Sequence, residues 1–157
     1  MKKFERIIGV PSLSNLGVVK EGAIYRSAQP QLFEALPQYL GIKSVLCLRE
    51  HSEQEVAESA GLKYFSFRIN VFSKVDPDEL NLIVSVLSDP INQPILFHCL
   101  QGQDRTGMVC AAYRLARDKW TLEEALEEMN SYGAFNLWWM MKNNIEAYAA
   151  VLRPGGG

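Results

Sequence analysis

The sequence predicts an α/β fold: a single domain with a mostly parallel central sheet flanked by helices. Three observations predict it. Strand-like and helix-like segments alternate along the chain, the order from which parallel sheets are built. Ser44-Val45-Leu46-Cys47-Leu48 and Pro94-Ile95-Leu96-Phe97-His98 are short, nearly unbroken apolar runs, as buried strands require. The length of 157 residues, 48% of them hydrophobic, suits one core rather than two. The expected division is one domain over residues 1–153 and a flexible Pro-Gly-Gly-Gly tail over 154–157.

Each element has a local reason. From Ile7 to Arg26, apolar pieces broken by Pro11, Asn15, Gly17 and Gly22 predict short strands and turns. Leu32 to Leu40 reads as a short helix stopped by Gly41, and Glu53 to Ala60 as another stopped by Gly61. Lys63 to Ile69 alternates as a strand does. Asp76-Pro77-Asp78-Glu79 opens a helix that runs to about Ser88: Asp caps, Pro suits the first turn, and acids suit the positive end of the dipole. Gly107 to Lys119 is apolar most of the way round, which marks a central helix. Thr121-Leu122-Glu123-Glu124 is a capping box that starts the next helix, and Leu137 to Leu152 supplies the last.

Charge and cysteine usage narrow the function. The 16 basic and 18 acidic residues give a formal net charge of −2, without the basic excess of nucleic-acid binders. Any anion site must therefore be local. Three cysteines, Cys47, Cys99 and Cys110, argue for free thiols in a reducing compartment rather than a disulfide framework. No apolar signal core follows the charged start and no run reaches membrane-spanning length, so a cytoplasmic protein, monomeric and without a cofactor, is expected. No metal-ligand cluster stands out, and the two histidines, His51 and His98, look poorly placed for one.

The chemistry concentrates in residues 94–107. A buried strand ends at His98, a turn containing Gly102 follows, and a helix begins near Thr106. Such a turn aims backbone N–H groups at one point beside a helix N-terminus, and so forms an anion cradle. Cys99 sits at its mouth, where the helix and a nearby cation lower a thiol's pKa and make it a nucleophile. Arg105 closes the cradle with a planar fork that grips two phosphate oxygens at once. Thr106 can hydrogen-bond the thiolate, Gly102 lets the backbone approach a ligand, and His98 orients the loop. Leu100, Gln101 and Gln103 complete the expected substrate-binding loop.

The spacing Cys-x5-Arg-Thr, flanked by His98 and Gly107, resembles the signature of the protein tyrosine phosphatase superfamily. Tyr25-Arg26-Ser27-Ala28-Gln29-Pro30 and Arg105 to Arg114 are similar to small bacterial dual-specificity-like phosphatases, a likeness spanning roughly residues 23–132. The resemblance implies metal-free hydrolysis of phosphomonoesters through a phosphocysteine, with Arg26 near the active site. It also implies an Asp general acid in a loop upstream of the cysteine strand. Residues 70–75 contain no acid, so Asp76 is the first choice, with Asp78 beside it, although both also look like helix-start residues. Asp104 competes from inside the loop, as in the lipid-phosphatase branch that resembles CxxGxDRT. Glu50 and Glu53 stand further out. Cys47 resembles the cysteine of phosphoinositide phosphatases that pairs with the nucleophile under oxidation; a small buried hydrophobe is its plainer reading.

Three readings of substrate remain open. Phosphorylated protein would suit a cleft walled by Tyr25, Phe72 and Trp138 or Trp139. Inositol polyphosphate, as in tyrosine-phosphatase-like phytases, would need cations, and Arg26, Arg49, Arg68 and Lys74 are the candidates in a loop that lacks Lys. A non-catalytic phosphate-binding module is the third.

Overall fold

The computed structural model describes residues 5–133 and 138–153. Among them, six short strands form one sheet: β1 (Glu5–Ile7), β2 (Leu16–Lys20), β3 (Ile24–Ser27), β4 (Ser44–Cys47), β5 (Lys63–Ser66) and β6 (Ile95–His98). The sheet order is β1-β2-β3-β6-β4-β5. β3, β6, β4 and β5 are parallel, while β1 and β2 join the β3 edge as antiparallel strands. β6 therefore lies between two parallel neighbours, and all four of its residues are buried.

Among the described residues, six α-helices alternate with or follow the strands: α1 (Ala35–Leu40), α2 (Gln54–Ser59), α3 (Pro77–Ser88), α4 (Asp104–Ala116), α5 (Leu122–Ser131) and α6 (Trp138–Leu152). Differences from expectation sit at the ends of elements, where capping and fraying decide. The 63–69 strand stops at Ser66, and α1 begins at Ala35 rather than Leu32. α4 starts three residues earlier than Gly107, because the turn at Gly102 already delivers the chain into helical geometry at Asp104. Leu137 and the 154–157 tail lie outside the described residues. Asp76 caps α3 as expected: its Oδ1 accepts from the Asp78 N–H at 2.8 Å. Thr121 and Glu124 close the capping box of α5.

α4 is the central helix. Every residue from Thr106 to Ala116 is buried, packed against β6 and β3 on one side and α3, α5 and α6 on the others. A stretch so enclosed must satisfy its one charged residue, Arg114, internally. Arg114 pairs with Glu128 at 2.8 Å and with Asp118 at 2.9 Å, donates to the Val19 carbonyl, and lies over the Trp120 ring. These bonds fix α4 to α5 and to β2, so the N-terminus of α4 is held in place beyond the carboxyl end of β6. Open α/β sheets bind ligands at that end.

Candidate active site

The loop from Cys99 to Gln103 joins the buried end of β6 to the first turn of α4. Gly102 makes this possible. Its φ of 72° is left-handed, and an added Cβ would stand 2.7 Å from the Ala28 nitrogen and 2.9 Å from the Ser27 carbonyl oxygen. Only glycine gives both the turn and the close packing on β3.

Cys99 is 2% exposed at the floor of a depression of about 210 Å³, lined also by Val71, Leu100, Gln101, Asp104 and Arg105. Burial pushes the Cys99 thiol upward. The Thr106 hydroxyl, the Thr106 N–H, the Arg105 charge and the Gly102 N–H together outweigh it, and the thiol pKa lies below its ordinary value. The Thr106 hydroxyl is fully buried and has no other partner. Arg105 is half-buried, and its Nη1 donates to the Ile69 carbonyl at 3.5 Å, which leaves the rest of its fork free to turn into the depression.

Asp104 and Asp76, the two main candidates for the acid, are separated by the fold. Asp104 lines the Cys99 depression; its Oδ1 is buried without a hydrogen-bond partner. Burial raises its carboxyl above the usual range, and the Arg105 charge opposes this only in part. Asp76 is exposed, committed to the α3 cap, and lines a different depression with Lys74, Asn143 and Asn144. The neighbouring Val75 N–H is pinned to Asn144 Oδ1 at 3.2 Å. Asp78 is likewise exposed on the first turn of α3.

The remaining residues divide into those that line the depression and those that support it. Leu100 and Gln101 line it; Gln103 turns toward Gly133. Arg26 does not face the depression where a substrate-binding residue would stand. It is fully buried behind the loop, where Nη2 donates to the Gly102 carbonyl at 2.9 Å and the guanidinium lies 3.5 Å from the centre of the Tyr132 ring. Asn15 works beside it, donating to the carbonyls of Gln101, Gly102 and Tyr132. Two loop carbonyls are thus turned away from the depression, and a carbonyl there would repel an anion. Tyr132 packs so tightly that a Cβ on Gly17 would fall 1.8 Å from its hydroxyl.

His98 also lies behind the loop. Its Nδ1 is 3.1 Å from the Cys99 carbonyl oxygen, and its Nε2 is 3.2 Å from Glu53 Oε2. The latter is an ion-pair distance without good hydrogen-bond alignment. Burial works to lower the His98 pKa, but Cys47 and the Glu53 carboxylate lift it to about 9. Burial works to raise the Glu53 pKa, but His98, His51 and Gln29 hold it down at about 2. Glu53 is 7% exposed and lies outside the lining of the Cys99 depression. Cys47, on the neighbouring strand, donates to Glu53 Oε1 at 3.5 Å, and all three cysteines are free thiols.

Some of these roles had no readable signal. Asn15 and Tyr132 are 87 and 30 residues from Gly102 in sequence, and neither carries a motif. Glu53 was legible as a helix-start residue and an outlying acid candidate, not as a partner of His98. Of the four cations expected at the mouth, Arg49 alone lines the adjoining space; Arg68 and Lys74 are exposed elsewhere and Arg26 is buried. Of the expected aromatic walls, Tyr25 is buried in the core cluster of Val45 and Leu96, Trp138 lines a groove of about 690 Å³ between α5 and α6, and Trp139 lies with Phe72 in a third depression.

The chain belongs to the tyrosine phosphatase family, whose model matches residues 10–152. The class of protein is therefore a cysteine-nucleophile phosphatase fold. Among curated relatives, it is 33% identical over 152 residues to an inositol diphosphatase of Arabidopsis thaliana, covering 88% of this chain and 71% of the relative. It is 32% identical over 135 residues to an inositol diphosphatase of Oryza sativa subsp. japonica, covering 80% and 59%. It is 30% identical over 111 residues to the dual specificity protein phosphatase TpbA of Pseudomonas aeruginosa, covering 70% and 51%. The chain thus spans little more than half the length of the last two. Among solved structures, the catalytic core of the PP-IP phosphatase SIW14 from S. cerevisiae superposes with a TM-score of 0.76 at 27% identity, covering 90% of each chain. P. aeruginosa TpbA superposes at 0.77 and 25% identity, covering 95% and 96%. Among the described residues, no helix is long and apolar enough to cross a membrane.

Proposed function

We propose that this chain is a cysteine-dependent phosphatase acting on small molecules that carry clustered phosphates, of the inositol phosphate and diphosphate class. One observation carries the choice of substrate. The Cys99 depression shares Val71 and Arg105 with a second depression of about 470 Å³, lined by Arg49, Glu50, His51, Asn70 and Phe72. A phosphate at Cys99 would place a neighbouring phosphate beside Arg49, whose Nη1 is steadied by Gln29 Oε1 at 2.9 Å. The names of the plant and yeast relatives agree with this reading.

The chemistry runs in two steps. The Cys99 thiolate attacks phosphorus, forming an S–P bond as the P–O bond to the leaving group breaks. Arg105 and the loop N–H groups stabilise the equatorial oxygens throughout. Protonated Asp104 gives its proton to the leaving oxygen. Water then attacks the phosphocysteine, Asp104 takes back a proton, phosphate departs and Cys99 returns to a thiolate. A diphosphate asks less of this acid than an alcohol does, because the phosphate expelled has a second pKa near ~6. Arg26, Asn15 and His98 act through the loop as positioning residues.

A dual-specificity protein phosphatase is the second reading. The observation that favours it is Phe72, 73% exposed at the rim, where it can flank a phosphotyrosine ring. The likeness to TpbA points the same way. A phosphate-release panel separates the two. We expect kcat/KM on inositol diphosphates and polyphosphates to exceed that on phosphotyrosine peptides by at least about tenfold, equivalent to about 1.4 kcal/mol from one added ion pair. The reverse order would overturn the substrate assignment and leave the phosphatase intact.

The acid has its own test. Asp104→Asn should lower kcat by about 10²–10⁴-fold on an alkyl phosphate, the usual span for general acid–base catalysis, and far less on a nitrophenyl ester. Asp76→Asn should leave kcat unchanged on both, since it keeps an oxygen to cap α3. A large loss with Asp76→Asn and none with Asp104→Asn would reverse the assignment.

A further inference from the structure

Cys47, His51 and Glu53 lie outside the Cys99 depression, and the two steps at phosphorus do not use them. The sequence left His51 and His98 poorly placed for a metal; the fold gathers His51, though not His98, with Cys47 and Glu53. β4 and β6 pair in register with Cys47 opposite His98, and the turn after β4 brings His51 and Glu53 back over the end of β4. One sulfur, one imidazole nitrogen and one carboxylate oxygen then lie within 4.8 Å of one another.

We propose that Cys47, His51 and Glu53 form a binding site for a divalent transition-metal ion of the zinc class, adjacent to the catalytic depression and distinct from it.

The separations fit such an ion. Tetrahedral zinc, with bonds of about 2.3 Å to sulfur and about 2.0 Å to nitrogen and oxygen, sets S···O at about 3.5 Å and N···O at about 3.3 Å. Cys47 Sγ stands 3.5 Å from Glu53 Oε1, and His51 Nε2 stands 2.8 Å from the same oxygen. The His51–Glu53 separation must open by a few tenths of an ångström, and His51 is the exposed member of the three. Softness agrees as well: a thiolate and an imidazole select zinc, cobalt or copper over magnesium or calcium. Glu53 can give Oε1 to an ion while its other oxygen, Oε2, stays 3.2 Å from His98 Nε2, an ion-pair distance. Glu53 Oε2 and His98 Nε2 are both buried, and neither has a well-aligned hydrogen bond. Water can fill the fourth position from the depression that His51 lines. The same depression is the route by which an ion enters.

Binding converts the Cys47 thiol to a metal thiolate and releases one proton, with no change of oxidation state. Glu53 then links the ion to His98, the residue whose Nδ1 meets the Cys99 carbonyl.

Cobalt(II) titration of the reduced full chain tests the site, because a cobalt–thiolate charge-transfer band reports sulfur ligation directly. One equivalent should give that band together with tetrahedral d–d bands, and zinc should displace the cobalt. The spectrum should persist in Cys99→Ser, which keeps the whole cluster. Cys47→Ser should abolish the charge-transfer band. His51→Ala, a substitution at an exposed side chain that leaves the fold undisturbed, should weaken binding by at least about tenfold, the lower end of losses seen even for outer-shell partners. Loss of the band in Cys99→Ser would mean that the ion sits on the nucleophile, and would overturn the proposal. So would the absence of any thiolate band in the native chain, or affinity unchanged by His51→Ala.

Discussion

Cys99→Ser should abolish turnover on every phosphate ester while leaving fold and ligand binding intact. The substitution exchanges sulfur for oxygen at a 2% exposed position. The influences that lower the pKa of Cys99 come from Thr106, Arg105 and the N–H of Gly102, and all of them remain in the variant. They are enough for a thiol, but an alcohol starts far higher and stays protonated at neutral pH. With no nucleophile, the loss should exceed about 10⁴-fold, in line with the ~10⁶-fold cost of removing a serine-protease nucleophile. Equilibrium binding of inorganic phosphate should change little, because Arg105 and the cradle are untouched. The pH profile of the native chain carries the same argument. The thiol pKa is lowered, so kcat/KM should reach its plateau at a lower pH than a free thiol would allow, and fall as acidity protonates Cys99. On poor leaving groups the alkaline side should decline as pH rises through the raised pKa of Asp104. Substantial activity in Cys99→Ser, or a rate that climbs up to the pKa of a free thiol, would show that Cys99 is not the attacking group.

The sequence carried this centre because its parts are local. Cys99, Gly102, Arg105 and Thr106 lie within eight residues, and the apolar run before them and the helix after them identify the turn. The parallel core was legible for the same reason: strands at 44–47 and 95–98 have no polar face to show. What supports the loop was not legible, because it arrives from distant strands. Arg26 looked like a ligand-binding arginine, yet β3 delivers it beneath Gly102, where the Tyr132 ring offsets the burial of its charge. Chain order alone could not separate the candidates for the general acid. Asp76 has the expected position upstream of β6, but Pro77 and the α3 cap fix it elsewhere, while Asp104 is buried beside the sulfur's depression. Cys47, His51 and Glu53 are separated by only six residues, but their convergence depends on a turn at the end of β4 that no periodicity encodes.

Arg105→Lys should be nearly as damaging as loss of the nucleophile, although the formal charge is kept. The phosphoryl group in flight spreads charge over three equatorial oxygens, and a planar fork meets two of them in fixed directions. An ammonium group meets one, and its flexible stem must be ordered each time. Removing a single donor from a preorganised anion hole typically costs about 10²–10³-fold in kcat, and we expect that range or more here. A second consequence follows from position. Arg105 lines both depressions and reaches the Ile69 carbonyl, so it also aligns the residues 69–72 edge that the two share. Lysine is too short and too poor in donors to hold that carbonyl and a phosphate together. The loss should therefore be larger on a substrate with two neighbouring phosphates than on a nitrophenyl ester, which occupies the Cys99 depression alone. Comparing kcat/KM of Arg105→Lys with the native chain on both substrates measures the difference. Equal losses would confine Arg105 to the reacting phosphate and remove the link between the two depressions; near-native rates on both would remove the clamp itself.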